Sequence, residues 1–293
     1  MTGIKLSRLS DTVGAEVVDV DRDRLLTDPD LPGEVMTALD EVGVLVFPKL
    51  DLDPEAQAAF CRRIGPLETQ LTKSHSVEGV TRITLDRSKT AMADYLMGNF
   101  GWHIDGCTPH GDEYPPMVTM LTAQIVAEGA NTEFASTYAA YDNLADDEKQ
   151  TFVGYRVLHS FESAVLPFLD DPQPEQIARL RAQPTKVHPL VWEHESGRRS
   201  LVIGTHAKEI VGLPADQGAA LLSELLERAT QPDRIYRHEW ATGDTVLWDN
   251  RGLVHRVARY DTSEPREMFR TTVLGQEPIQ LGSVGPGSQA SAS

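Results

Sequence analysis

Gly243-Asp244-Thr245-Val246-Leu247-Trp248-Asp249-Asn250-Arg251-Gly252-Leu253-Val254-His255 is the stretch whose reading decides the fold. Gly243-Asp244 is a turn pair, and the apolar, β-branched run after it reads as a strand to Trp248. A histidine seven residues beyond that tryptophan then stands on the next wall of a small barrel. Another strand, Glu267 to Leu274, follows, with Arg266 just before it and Arg270 within it.

Far upstream, Trp102-His103-Ile104-Asp105 sets a histidine and a carboxylate two positions apart. In extended backbone, residues i and i+2 point to one face, so both side chains reach a single ion. A third ligand must come from elsewhere, and His255 is the candidate. Two histidines and one carboxylate on one face of an octahedron leave three positions for a bidentate co-substrate and dioxygen. That is what a non-haem iron(II) oxygenase requires. A second His-x-Asp, His110-Gly111-Asp112, lies among the turn formers of Thr108 to Pro116 and has no such downstream partner region. Residue type alone does not separate iron from zinc. A zinc hydrolase on the same triad, and a non-catalytic jelly-roll binding protein, therefore stand as alternatives. The zincin, nucleophile-elbow, phosphate-loop and dinucleotide motifs are absent.

Around these motifs the chain is rich in strands, expected at 13–20, 42–47, 81–85, 117–126, 153–160, 186–193, 199–205, 234–240, 244–248 and 268–274. Helices are expected at 32–41, from the cap Asp53 to Ile64, at 137–150 and at 214–230. Many strands with a few helices imply a mainly β protein, a jelly-roll or sandwich core with flanking helices. The proline-punctuated segment 161–185, without a clear period, is expected to form a lid together with parts of 70–100. One domain is expected over 1–281, with a low-complexity, disordered tail over 282–293.

The 293 residues hold 27 Lys+Arg against 44 Asp+Glu, a formal net charge of −17. Such a chain repels nucleic acid and anionic membrane surfaces, so neither is an expected partner, and an anionic small molecule must be caught by local cations. His75, His159, His188, His194, His206 and His238 show no ligand spacing and are expected in structural or solvent-facing roles. Two cysteines, Cys61 and Cys107, do not make a disulfide framework. With no apolar leader and no run of 18 apolar residues, a cytoplasmic protein is expected.

Taken together, Trp-His-x-Asp at 102–105, Asn-Thr-Glu-Phe-Ala-Ser at 131–136, Gly-Asp-x-x-x-Trp-Asp-Asn at 243–250, His255 and Arg-x-x-x-Arg-Thr-Thr at 266–272 resemble one family. It is the taurine dioxygenase / 2,4-dichlorophenoxyacetate dioxygenase family of 2-oxoglutarate-dependent oxygenases. The resemblance runs from near residue 13 to about 280 and implies a double-stranded β-helix core. It further implies His103, Asp105 and His255 as catalytic metal ligands, and Thr132 and Arg266 as holders of the distal carboxylate of 2-oxoglutarate. Trp248 reads either as core packing or as a wall of the iron pocket beside the co-substrate, and Arg270, Asn99 and Gly106 are expected at the prime substrate. The implied reaction uses iron(II), 2-oxoglutarate and dioxygen to hydroxylate an unactivated C–H bond of a small organic molecule, with release of succinate and carbon dioxide. Asp105 favours hydroxylation over halogenation, since related halogenases carry glycine or alanine there. A homo-oligomer, dimer or tetramer, is the expected assembly.

Overall fold

The computed structural model describes residues 3–69, 76–108 and 115–279. Among the described residues the strands are β1 (Leu6–Arg8), β2 (Ala15–Val17), β3 (Val44–Phe47), β4 (Thr81–Ile83), β5 (Pro116–Ile125), β6 (Thr132–Ser136), β7 (Arg156–His159), β8 (Lys186–Pro189), β9 (Val191–Glu193), β10 (Arg199–Leu201), β11 (Ala207–Ile210), β12 (Ile235–His238), β13 (Thr245–Asp249), β14 (Leu253–Val257) and β15 (Glu267–Leu274). The α-helices are α1 (Arg22–Thr27), α2 (Leu31–Val42), α3 (Pro54–Ile64), α4 (Ala93–Leu96), α5 (Thr137–Asp142), α6 (Asp146–Phe152), α7 (Phe161–Val165), α8 (Pro174–Arg181) and α9 (Ala215–Ala229). Among the described residues, no helix is long and apolar enough to cross a membrane.

Two sheets make the double-stranded β-helix. The larger runs β1-β2-β3-β13-β5-β15-β4, and the smaller runs β12-β6-β14. Strand alternation explains why their central segments are apolar without a polar phase. Val44, Val46, Leu121, Val246 and Trp248 point between the sheets and meet Phe134 and Leu253 of the smaller one. Their neighbours Leu45, Phe47, Met120 and Leu247 point the other way, onto Leu31, Val35 and Leu39 of α2 and Phe60 of α3. A strand buried on both faces reads as a continuous apolar run, as Val44–Phe47 does. Each such fully buried side chain contributes roughly 1.5–3 kcal/mol of burial free energy. A third layer, in which Trp192, Leu201 and Ile203 pack with Leu222 and Leu225 of α9, backs the metal-loop residues Trp102 and Ile104.

The α3 boundaries follow local chemistry: Asp53 accepts the Ala56 N–H at 2.7 Å, Pro54 occupies the first turn, and Gly65-Pro66 ends the helix. Elsewhere local reading met tertiary terms. The helix expected at 137–150 divides at Asn143, because the Ala145 N–H turns to the Glu148 carboxylate at 2.9 Å and starts α6 anew. Residues 186–193 form two strands, interrupted where the Leu190 N–H leaves for Tyr155 O. The segment 161–185 is not irregular: it contains α7 and α8. Helix α8 is eight residues long and buries only Leu180, so its apolar face is short. Strands β6, β11 and β14 and helix α1 were not among the expected elements. Residues 70–75 of the expected lid and the tail at 282–293 lie outside the described residues.

Candidate active site

A single pair of backbone hydrogen bonds joins the two distant halves of the site. The His103 N–H donates to His255 O at 3.0 Å, and the His255 N–H donates to His103 O at 2.9 Å. This bridge sets the imidazoles side by side, their centroids 4.2 Å apart. One donor atom each from His103, Asp105 and His255 then lies within 4.8 Å of the others. His103 Nε2 is 3.8 Å from Asp105 Oδ1, and His255 Nε2 is 4.0 Å from Asp105 Oδ2.

The proton positions follow from the partners. His103 Nδ1 sits 2.8 Å from the Gly101 carbonyl, which only accepts, so Nδ1 carries the proton and the Nε2 lone pair faces Asp105. The Trp248 indole N–H donates to Asn250 Oδ1 at 2.9 Å, the Asn250 amide donates to the Thr119 hydroxyl at 2.8 Å, and Thr119 donates to Asp105 Oδ2 at 2.9 Å. Because indole can only donate, every link in this chain has one direction, and it ends on the carboxylate. The Trp248 ring also packs 4.8 Å from the His255 ring.

Charge states suit a divalent cation. Burial raises the Asp105 carboxyl, but His255, Arg270 and His103 outweigh it and hold it at about 2. Burial lowers His103, and burial and then His103 lower His255 to about 3. At neutral pH the triad is one carboxylate and two neutral imidazoles, the protonation state in which these groups ligate. Nitrogen and oxygen donors of this type fit a first-row transition metal.

Of the residues expected from sequence, His103, Asp105, Gly106, Asn99 and Arg270 line one cavity. Arg270 Nη1 stands 3.8 Å from Asp105 Oδ1. Gly106 has φ +79°, and a Cβ there would lie 2.1 Å from Pro116 Cδ, so only glycine brings the backbone to this wall without strain. Arg266 lines a smaller neighbouring cavity that shares Leu96 and Asn99 with the first. It is 7% exposed, and among the described residues its Nη2 has no hydrogen-bond partner. Thr132 pairs in register with Val257, another lining residue of that smaller cavity. Its oxygen accepts the Trp240 indole N–H at 2.9 Å, leaving its own proton to donate. Trp248 is 2% exposed and packs behind the His255 ring, between the two sheets.

Sequence reading missed several wall residues. Phe161 and Val165 of α7 and Lys186 of β8 line the main cavity. Of the remaining histidines, His159, His188, His194, His206 and His238 are all buried, which is the structural one of the two expected roles; His75 lies outside the described residues, as do His110 and Asp112. His206 Nε2 accepts the N–H of Ile104, between two triad residues, at 3.2 Å. Its Nδ1 is therefore protonated and donates to His159 Nδ1 at 2.8 Å. Cys107 packs in the core, where burial pushes its thiol up to about 12.

Known proteins share this architecture. The chain is 37% identical over 260 residues to the alpha-ketoglutarate-dependent 2,4-dichlorophenoxyacetate dioxygenase of Burkholderia sp. (strain RASC), covering 83% of this chain and 85% of that protein. It is 36% identical over 281 residues to the (S)-phenoxypropionate/alpha-ketoglutarate-dioxygenase of Sphingobium herbicidovorans, covering 92% and 94%. The crystal structure of AAD-2 in complex with Mn(II) and N-oxalylglycine superposes with a TM-score of 0.78 at 33% identity, covering 95% of this chain and all of that one. Since its residues 5–272 also match the model of the taurine catabolism dioxygenase TauD, TfdA family, the chain belongs to that family.

Proposed function

We infer that the chain is an iron(II)- and 2-oxoglutarate-dependent dioxygenase that hydroxylates an unactivated C–H bond of a small, anionic, partly hydrophobic organic substrate. Succinate and carbon dioxide are the co-products. The observation that carries the co-substrate is Arg266. A buried guanidinium with an unpartnered donor is costly until a counter-ion arrives, and a carboxylate accepts its paired N–H groups. Thr132 supplies a hydroxyl proton from the adjoining strand. Support comes from AAD-2, whose N-oxalylglycine has the carboxylate–carbonyl–carboxylate layout of 2-oxoglutarate.

His103, Asp105 and His255 would hold the iron, which when bound couples decarboxylation of 2-oxoglutarate by dioxygen to attack on the C–H bond. The protein's own part is positional. Gly101 fixes the His103 tautomer, Thr119 orients Asp105, and Trp248 braces His255. The apolar wall of Met92, Leu96, Phe161 and Val165 keeps water from the substrate's reacting carbon. Asn99, Arg270 and the backbone at Gly106 border the space for the substrate. The phenoxyalkanoate names of the relatives support a hydrophobic anion. The reading includes one catalytic domain over 1–281. A cytoplasmic location agrees with the free thiols of Cys61 and Cys107, and a homo-oligomer, dimer or tetramer, rests on the family resemblance.

Anaerobic addition of iron(II) and 2-oxoglutarate should produce the visible metal-to-ligand charge-transfer band, and oxygen should then release succinate. Asp105→Ala should abolish the band and Asp112→Ala should retain it. A folded wild-type protein without the band overturns the reading.

A further inference from the structure

Among the described residues, the main cavity has two cationic side chains on its wall, and they are not equivalent. Arg270 is already opposed by Asp105 at 3.8 Å. Lys186 has no ion pair among the described residues, while the cavity's other carboxylate, Glu68, has an interaction of its own. Side chains alternate along β8: Val187 is 46% exposed, whereas Lys186 and His188 turn inward. His188 touches the backbone of Cys107, so this end of β8 lies against the loop that carries Asp105 and Gly106. His188 itself is no second cation, because burial and then the nearby Lys186 hold its pKa at about 4.

One stretch of the wall is apolar. Tyr95 of α4 meets Phe161 of α7 edge to face at 5.8 Å, and Met92, Leu96 and Val165 extend that surface. A lone ammonium beside an aromatic and aliphatic wall is complementary to an amphiphilic monoanion. In a chain of net charge −17 the mean field repels such a ligand, which makes a local unpaired cation decisive for capture.

We propose that Lys186 is the counter-ion of the prime substrate's anionic group, a carboxylate or a sulfate, and that the α4–α7 surface takes its hydrophobic body. This rests on the dioxygenase reading above and names a residue and a substrate class within it. Arg270, which faces Asp105 at 3.8 Å, borders the same space.

The test measures binding by titration calorimetry in the presence of Mn(II) and 2-oxoglutarate, so that no turnover is needed. The probes are 2,4-dichlorophenoxyacetate, hexyl sulfate and the uncharged methyl ester of the phenoxyacetate. Lys186→Met should weaken both anions about tenfold or more, in line with loss of a charge-assisted hydrogen bond. Lys186→Arg should restore most of that affinity, and the ester should respond to neither change. A preference for one anion in the wild type identifies the head group. Anion binding within about twofold of wild type in Lys186→Met overturns the proposal. So does equal loss for acid and ester, or a wild-type protein that binds neither anion. The charge-transfer band is read separately. Its absence alongside Lys186-dependent anion binding would sink the dioxygenase reading and leave the anion site standing, and the converse result would do the reverse.

Discussion

Arg266 is the residue at which folding and function pull apart most clearly. Burial lowers its pKa, and the apo protein carries the cost of a guanidinium whose Nη2 is unpartnered. Replacing it with an apolar side chain of similar length removes that cost along with the anchor. Arg266→Met should leave the apo protein as stable as wild type or more so, as seen when buried charges give way to packed hydrophobes. Its affinity for 2-oxoglutarate should fall about a hundredfold. Thermal melting and titration of the charge-transfer band check the two halves independently. A large loss of stability without loss of affinity would mean that the arginine is structural.

At the scale of elements, the metal loop 103–108 is held from both sides. The bridge to β14 fixes His103 against His255, and the β5 hydroxyl of Thr119 fixes Asp105. Between them the Ile104 N–H is tied down by His206, which is itself held by His159 of β7. His206→Leu should leave that N–H buried without an acceptor, at about 1–3 kcal/mol of stability. It should also weaken Mn(II) binding about tenfold, the usual scale for groups that orient ligands. His206→Gln keeps an acceptor and should recover much of the metal affinity. Equilibrium dialysis with Mn(II) and chemical denaturation provide the readouts, and unchanged Mn(II) affinity in His206→Leu would refute the tether.

For the whole molecule, the buried neutral histidines set the response to acid. His188 is held at about 4 and both His194 and His206 at about 3, chiefly by burial. Their unfolded values lie near 6.5, so below that pH the unfolded chain binds protons that the folded chain refuses. Stability therefore falls as pH drops through 6.5 toward 4, and is complete above it. His188 alone should cost about 2 kcal/mol between pH 7.5 and pH 5. Denaturant midpoints at the two pH values check this, and His188→Gln should flatten the dependence by about that amount.

Much of the site was legible because its signals are short and chemical. The His103-x-Asp105 spacing pointed to one ion, although the structure sets these residues in a bridge and a turn rather than in a strand, and the turn-strand reading from Gly243 put His255 on a neighbouring wall, where it stands. Asp53, Pro54 and Gly65 bounded α3 for the same reason, since capping is settled within a few residues. What tertiary structure decided is everything that depends on which surfaces meet. Helix α8 is eight residues long with one buried residue, yet it forms. Trp248 offered two readings, core packing or pocket wall, and alternation along β13 sends it between the sheets, behind His255. Lys186 carries no motif, and it reaches the cavity only because β8 packs beneath the metal loop. The sequence by itself determined which groups can bind a metal; sheet packing determined which of the remaining charges faces it, since burial and pairing belong to the assembled fold and not to the local chain.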